Sequence, residues 1–442
     1  MMHSPKPADL LESARAALRD GERARADTLF AALLDADPQS FEALTQLGQS
    51  AFAAGRLDVA LDLLGRAQRL RPADAHACKN LGAALRAAGN NEAAVDLLRE
   101  AVRLDPNFFV ARLLYAAACE DLGRTQTALC AYYGALNTAQ RQGRWLNTAT
   151  TAPLLRPLVT HAMHTVDAGR GAFYANALDP LRERFGAEAL RRVEKALEIY
   201  LGNLPADYPD PRQKPSFLYF PDIPSQPWFE RSLFPWYEEF ESHAPAIRRE
   251  LDAVLDDEAA FAAFLKARPN VDMDEYLSNA RGPARWDGYF FYDHGERFEE
   301  NCRRCPETAA ALDRLPLVRL PAHAPECLFS KLTAGSHIRP HRGVTNTRLV
   351  THLPLIVPGN GALRVGGEDH VWQQGRCITF DDTFLHEAWN FSDHTRVVLL
   401  FDVWNPHMTE AEVAACSQLV LAISGFNREA MLGAPMQETG EP

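Results

Sequence analysis

In the last third of the chain, two histidines and an arginine have the types and spacing that metal chemistry needs. His341 ends the run SHIRPH, and His386 lies in FDDTFLHEAWN, just after the strand-like RCITF. Arg396 follows ten residues later and opens RVVLLFDVW. Imidazole nitrogen suits Fe(II) and leaves coordination positions open for small ligands. Arginine keeps its charge and can hold both oxygens of a carboxylate. His352 sits inside the apolar run TRLVTHLPLIV, where a polar side chain needs a partner. Against a metal site stands Gly343: a two-histidine, one-carboxylate iron site would read His-x-Asp here, and glycine holds the acid's position. On spacing alone two readings stay open, a metal centre lacking one ligand or histidines that merely pack.

Short strands must position these residues. After Arg285 the chain runs through WDGYFFYD, ECLFSKLTA, TRLVTHLPLIV, GALRVGGEDHVW, RCITFDD and TRVVLLFDVW. These segments are β-branched or aromatic and are divided by Gly, Asn, Asp and Pro, which predicts antiparallel strands in a β-sandwich or jelly roll. Upstream, LPADYPDPRQKPSFLYFPDIPSQPWFE is too rich in proline for a long helix. Helical character returns over about 232–266, and a last helix follows DVWNP.

The first third has a different order. Gly21, Gly55, Gly89 and Gly123 recur every 34 residues, as do Ala26, Ala60, Ala94 and Ala128, and Phe30, Leu64, Leu98 and Tyr132. Pro38, Pro72 and Pro106 close the first three units. Small residues let paired helices cross closely, large ones fill the gap, and proline stops the second helix. In period and signature positions the pattern resembles the tetratricopeptide repeat. Such arrays stack into a solenoid whose concave face binds peptides or neighbouring domains. From 141 to 204 the rhythm is lost while helical periodicity continues, with Leu190, Val193, Leu197 and Leu201 on one face.

Composition narrows the partners. The chain has 442 residues, 47% hydrophobic and 24% charged, as in a soluble globular protein of two or three domains. A net charge of −12 argues against nucleic acid and against an anionic membrane. The start, MMHSPKPADLLESARAALRD, lacks the charged-then-apolar pattern of a secretory signal, and no stretch is apolar enough to span a bilayer. Eight scattered cysteines fit a reduced, cytoplasmic protein. Cys302 and Cys305 have the spacing of a metal or redox pair without a second pair, so two packed thiols are the simpler reading.

The words around the histidines add what spacing cannot. FSKLTAGSHIRPHRGVTNTRLVTHLPLIVP, GGEDHVWQQGRCITFDDTFLHEAWN and TRVVLLFDVWNP closely resemble the catalytic domain of the aspartyl/asparaginyl β-hydroxylase family. WDGYFFYDHGERFEENCRRCPETAAALDRL and YFPDIPSQPWFE extend the likeness over roughly residues 215–410. Tetratricopeptide repeats precede this domain in that family too. The resemblance implies an α+β multidomain chain: an all-α repeat solenoid of four units at 7–140, capping and bridging helices at 141–204, and a double-stranded β-helix (jelly-roll) oxygenase domain at 205–442.

It also implies a chemistry. Family members bind iron with two histidines and no protein carboxylate, so His341 and His386 would hold Fe(II), Gly343 would be in order, and Asp382 would orient a water. Arg396 and Ser330 would hold the far carboxylate of the cosubstrate 2-oxoglutarate, and His352 its metal-side carboxylate. With O2, such an enzyme hydroxylates the β-carbon of Asp or Asn in a peptide or protein and releases succinate and CO2. The repeats would guide the substrate. Arg348 faces the same way along its strand as His352 and is the candidate for an anionic or amide substrate group. Val350 departs from the family, whose best-known members carry a second substrate arginine there. That leaves the target open among Asn, a differently held Asp and another amino-acid-like group. Two other readings are an inactive repeat scaffold and a hydroxylase of a lipid or small molecule, since some relatives act on acyl chains.

Overall fold

The computed structural model describes residues 6–264, 276–279 and 282–431. The chain forms two compact units, one of residues up to Phe173 together with those from Ile423, the other Tyr174–Ala422. The division falls inside the segment 141–204.

The first unit opens with four helix pairs: α1 (Pro7–Arg19) with α2 (Arg23–Ala36), α3 (Phe41–Ala53) with α4 (Leu57–Leu70), α5 (Ala75–Ala87) with α6 (Asn91–Leu104), and α7 (Phe109–Asp121) with α8 (Thr125–Arg141). Gly55 and its equivalents turn each pair at φ between 71° and 80°, a conformation open to glycine at little cost. Within a pair the approach is close: a Cβ on Gly48 or Gly82 would stand 2.7 Å from Cγ of Leu64 or Leu98. Ala60, Ala94 and Ala128 are buried in the same seams.

After α8, the helix Arg156–Asn176 sets Gly169 against Leu129. The end of the helix Glu410–Ala430 also packs here. Phe426 lies 5.2 Å from the rings of both Tyr133 and Phe173, and Arg112 donates to the carbonyl of Ala430 where Gly134 carries no side chain. From sequence this whole helix falls within 205–442. Its last turns join the repeats because an aromatic residue and the helix's final carbonyl find their partners there.

In the second unit the strands are β1 (Ala262–Ala263), β2 (Leu277–Asn279), β3 (Trp286–Asp293), β4 (Glu296–Arg297), β5 (Cys327–Leu332) and β6 (Ser336–His341). They continue as β7 (Arg348–Ile356), β8 (Gly361–Val365), β9 (Glu368–His370), β10 (Ile378–Phe380), β11 (His386–Asn390) and β12 (Arg396–Trp404). One antiparallel sheet has the order β1-β3-β5-β12-β7-β10, with β4 on β3, and the other β2-β6-β11-β8-β9. From β5 onward the chain passes back and forth between the sheets, except that β8 and β9 follow each other as a hairpin in the smaller one. The two sheets share an apolar layer that includes Trp286, Val350, Phe380 and Val398 from one and Ile338, Leu363, Val365 and Ala388 from the other. The alternate residues of the larger sheet, such as Phe329, Leu353, Leu399 and Phe401, pack outward against Ile247, Leu251, Leu312 and other helical residues.

The helical stretch expected over 232–266 is broken. It holds the helices Tyr237–Ser242 and Ala244–Val254, and then Ala262–Ala263 pair with Gly288 and Asp287 of β3. Pro245 cannot donate a helical hydrogen bond and is tolerated only in a first turn, so a new helix starts there. Residues 265–266 lie outside the described residues.

The repeat seams give a stability test. Gly82→Val should push Leu98 off its seat and lower the unfolding free energy by about 1–3 kcal/mol, read by urea unfolding followed by circular dichroism. An unchanged midpoint would mean that the seam has slack.

Candidate active site

The pairing of β6 with β11 places His341 opposite His386, although 45 residues separate them in sequence. Their ring centroids are 4.1 Å apart. Nδ1 of His341 lies 2.8 Å from the carbonyl of Arg339, and Nδ1 of His386 lies 3.1 Å from that of Phe384. A carbonyl only accepts, so each Nδ1 carries the hydrogen and each Nε2 keeps a lone pair, the tautomer a metal-binding imidazole needs. Burial holds both rings neutral. It depresses His341, and it brings His386 down to about 3 with the help of its neighbour His341.

Asp382 supplies the acid that the sequence lacks at 343. A Cβ on Gly343 would stand 2.1–2.2 Å from the carboxylate atoms of Asp382, so that carboxylate occupies the volume of the missing side chain. The Gly343 N–H donates to the Asp382 carbonyl at 2.7 Å and fixes the approach. Asp382 is buried, and its Oδ1 has no hydrogen-bond partner. Burial pushes its carboxyl up to about 7 against the pull of Arg348. Its neighbour Asp381 is already engaged, accepting from Gln213 at 2.6 Å and from the Thr383 N–H at 2.9 Å, which shapes the turn before His386.

The larger sheet faces this pair with Ser330, Arg348, His352 and Arg396 on its inner side. Arg396 is buried and has no acidic partner among the described residues. Its guanidinium lies 4.7 Å over Trp372 and reaches Ser330 Oγ at 3.4 Å, while its Nε has no partner. An unpaired buried cation costs several kcal/mol (roughly) unless an anion arrives, and burial accordingly disfavours its charged form. Trp286 Nε1 donates to Ser330 Oγ at 2.9 Å, and Trp372 Nε1 donates to His352 Nδ1 at 3.3 Å. The second bond leaves His352 with a hydrogen on Nε2, which makes it a donor to whatever lies before it. Arg348 is already paired, donating to Asp402 at 2.7 Å.

Sequence reasoning missed the two indoles, and nothing in GGEDHVWQQG marks Trp372 as different from a core residue. It also missed Asp293, His294 and Glu326, whose ligand atoms lie within 4.8 Å of one another. Their mutual bonds account for them: His294 Nδ1 is 2.5 Å from Asp293 and 3.3 Å from Glu326, and the His294 N–H donates to Glu326 at 3.0 Å. Cys302 and Cys305 are buried, and burial pushes Cys305 up to about 11, so the pair packs as neutral thiols.

The profile of the Aspartyl/Asparaginyl beta-hydroxylase family matches residues 241–406, and that of the tetratricopeptide repeat matches 11–75 and 79–143. An ornithine lipid ester-linked acyl 2-hydroxylase from Rhizobium tropici is 34% identical over 209 residues, 47% of this chain and 70% of its own. The chain belongs to the aspartyl/asparaginyl β-hydroxylase family. Aspartate beta-hydroxylase domain-containing protein 2 of Xenopus tropicalis is 30% identical over 55% of this chain and 64% of its own length. The human aspartyl/asparaginyl beta-hydroxylase is 27% identical over 63% of this chain, and the match spans 34% of that protein. No helix among the described residues is long and apolar enough to cross a membrane.

The residues present fit a divalent metal: two neutral imidazoles with free lone pairs, and a buried carboxylate oxygen without a partner. If this site takes a divalent metal, Gly343→Ala should displace Asp382 and weaken its binding by about 10–100-fold, measured by anaerobic titration with Fe(II) as the probe. Adding Asp382→Gly to Gly343→Asp should return part of that affinity. Parent-like binding by Gly343→Ala would remove Asp382 from the site.

Proposed function

We propose that this member of the family is an Fe(II)- and 2-oxoglutarate-dependent dioxygenase that hydroxylates an amino-acid side chain in a peptide or protein. The observation that carries the reading is Arg396, a buried cation without an anion, on the sheet face opposite two imidazoles set in the metal-binding tautomer. His341 and His386 would hold the iron through Nε2, and Asp382 would accept a hydrogen bond from a water beside it. Arg396 and Ser330 would take the far carboxylate of the cosubstrate, with Trp372 stacked beneath the guanidinium and Trp286 fixing the serine. His352 would donate from Nε2 to the carboxylate nearer the metal. Bound iron supplies the activation of O2 that couples decarboxylation of 2-oxoglutarate to insertion of one oxygen atom into a C–H bond.

The protein's share would be to orient that bond and keep bulk water away from it with the apolar layer that includes Trp286, Trp372 and Phe380. The repeats would present a polypeptide, as such arrays do. A second reading, hydroxylation of an acyl chain, is favoured by the rhizobial relative's activity.

Arg396 offers a test that needs no substrate. Replacing an unpaired buried cation by an apolar residue of similar length should stabilise the ligand-free protein, so Arg396→Met should raise its unfolding free energy by about 1–4 kcal/mol. Saturating 2-oxoglutarate at about 100 times its Kd should stabilise the wild type by about 2.7 kcal/mol and leave the variant unchanged. Equal stabilisation of both would remove Arg396 from cosubstrate binding. Separately, Fe(II)-dependent succinate release should vanish in His386→Ala; release that persists there would sink the assignment of the metal ligand.

A further inference from the structure

Arg348, Val350 and His352 alternate onto the inner face of β7, and Arg396, Val398, Leu400 and Asp402 onto that of β12, where Asp402 is the register partner of Val350. Arg348 Nη1 donates to Asp402 Oδ2 at 2.7 Å, and the Glu326 N–H donates to the same oxygen at 3.1 Å. Asp402 is almost fully buried, while one fifth of the Arg348 side chain is exposed. The buried carboxylate of Asp402 thus offsets the charge of Arg348, and Val350 beside it is apolar. Arg396 is held apart for the cosubstrate. An anionic side chain entering here would find the charge of Arg348 already offset by Asp402, an arrangement that excludes partners as strongly as attraction selects them. An uncharged amide fits better: its oxygen can take the remaining Arg348 N–H groups, and its NH2 can donate to a carboxylate.

We infer that Asp402 is a specificity-determining, positioning residue: by holding Arg348 in a buried ion pair, it makes the substrate subsite accept a neutral amide side chain and reject a carboxylate. The inference rests on the oxygenase reading above and adds the charge of the target group to it. Asp402 acts through Arg348 and touches neither metal nor cosubstrate.

The test uses the full chain loaded anaerobically with Fe(II) and 2-oxoglutarate, and calorimetric binding of two blocked peptides that differ only in Asn or Asp at the centre. The wild type should bind the asparaginyl peptide at least about tenfold more tightly. Asp402→Asn releases the charge of Arg348 and should shift the ratio about tenfold toward the aspartyl peptide, while Asp402→Glu should restore the wild-type ratio. A purely structural role for Asp402 would weaken both peptides together and leave the ratio fixed, and that outcome overturns the inference. So does a wild type that prefers the aspartyl peptide, binds neither peptide, or binds a neutral acyl ester more tightly than the asparaginyl peptide. Each of these leaves the oxygenase reading standing. A wild type that takes up no 2-oxoglutarate removes that reading, and this inference with it.

Discussion

Residue 341 faces residue 386 across one antiparallel strand pair, and the metal site proposed for the second unit depends on that register. Side chains alternate with a period of two, so a slip of one residue would turn one imidazole away from the other. The register is held from both sides: β11 also pairs with β8 through five consecutive partners, from His386 with Val365 to Asn390 with Gly361. The ladder between β6 and β11 shifts register between His386 and Ala388, and the extra residue lies on β6, so Ile338 and His341, three apart, stand opposite Ala388 and His386 on one face. The same stretch delivers Asp382 four residues earlier, into the space that Gly343 leaves.

Burial then decides what each group is. Away from water the imidazoles stay neutral, an unpaired carboxyl holds its proton more tightly, and an unpaired guanidinium is strained in its charged form. His386, Asp382 and Arg396 show these three responses within one interior. Arg348 escapes the penalty through Asp402, whereas Gln213 and Thr383 offset it only in part for Asp381, whose carboxyl burial still pushes up to about 6. The groups with bonds to spare therefore stand apart from those already satisfied, and the former are the ones with reason to meet a ligand.

The repeats were legible because each recurrent residue has a local job: Gly55 turns a pair of helices, and Gly48 makes room for Leu64. The strands after Arg285 were legible for similar reasons, since alternation and turn residues are local signals. The histidines were visible as candidates, but only the surrounding words, by resemblance, joined them to Asp382, Ser330 and His352. What stayed hidden was spatial. No local pattern says that the carboxylate of Asp382 fills the volume above Gly343, that Trp286 and Trp372 orient Ser330 and His352, or that Asp402 engages Arg348. The pairing of Ala262–Ala263 with β3 was hidden in an alanine-rich stretch whose composition favours helix.

β7 carries Arg348, Val350 and His352 on one side and Leu349, Leu353 and Leu355 on the other, where they meet the helical layer. Losing or gaining a single residue within this strand would exchange the two sets, driving charge into the oily layer and leucine into the pocket. Descendants of this gene can thus explore new targets by substitution at 348 or 350, one letter at a time, while length changes in the strand are closed to them. Variation in length should instead collect in exposed turns between strands, where no alternation has to be kept.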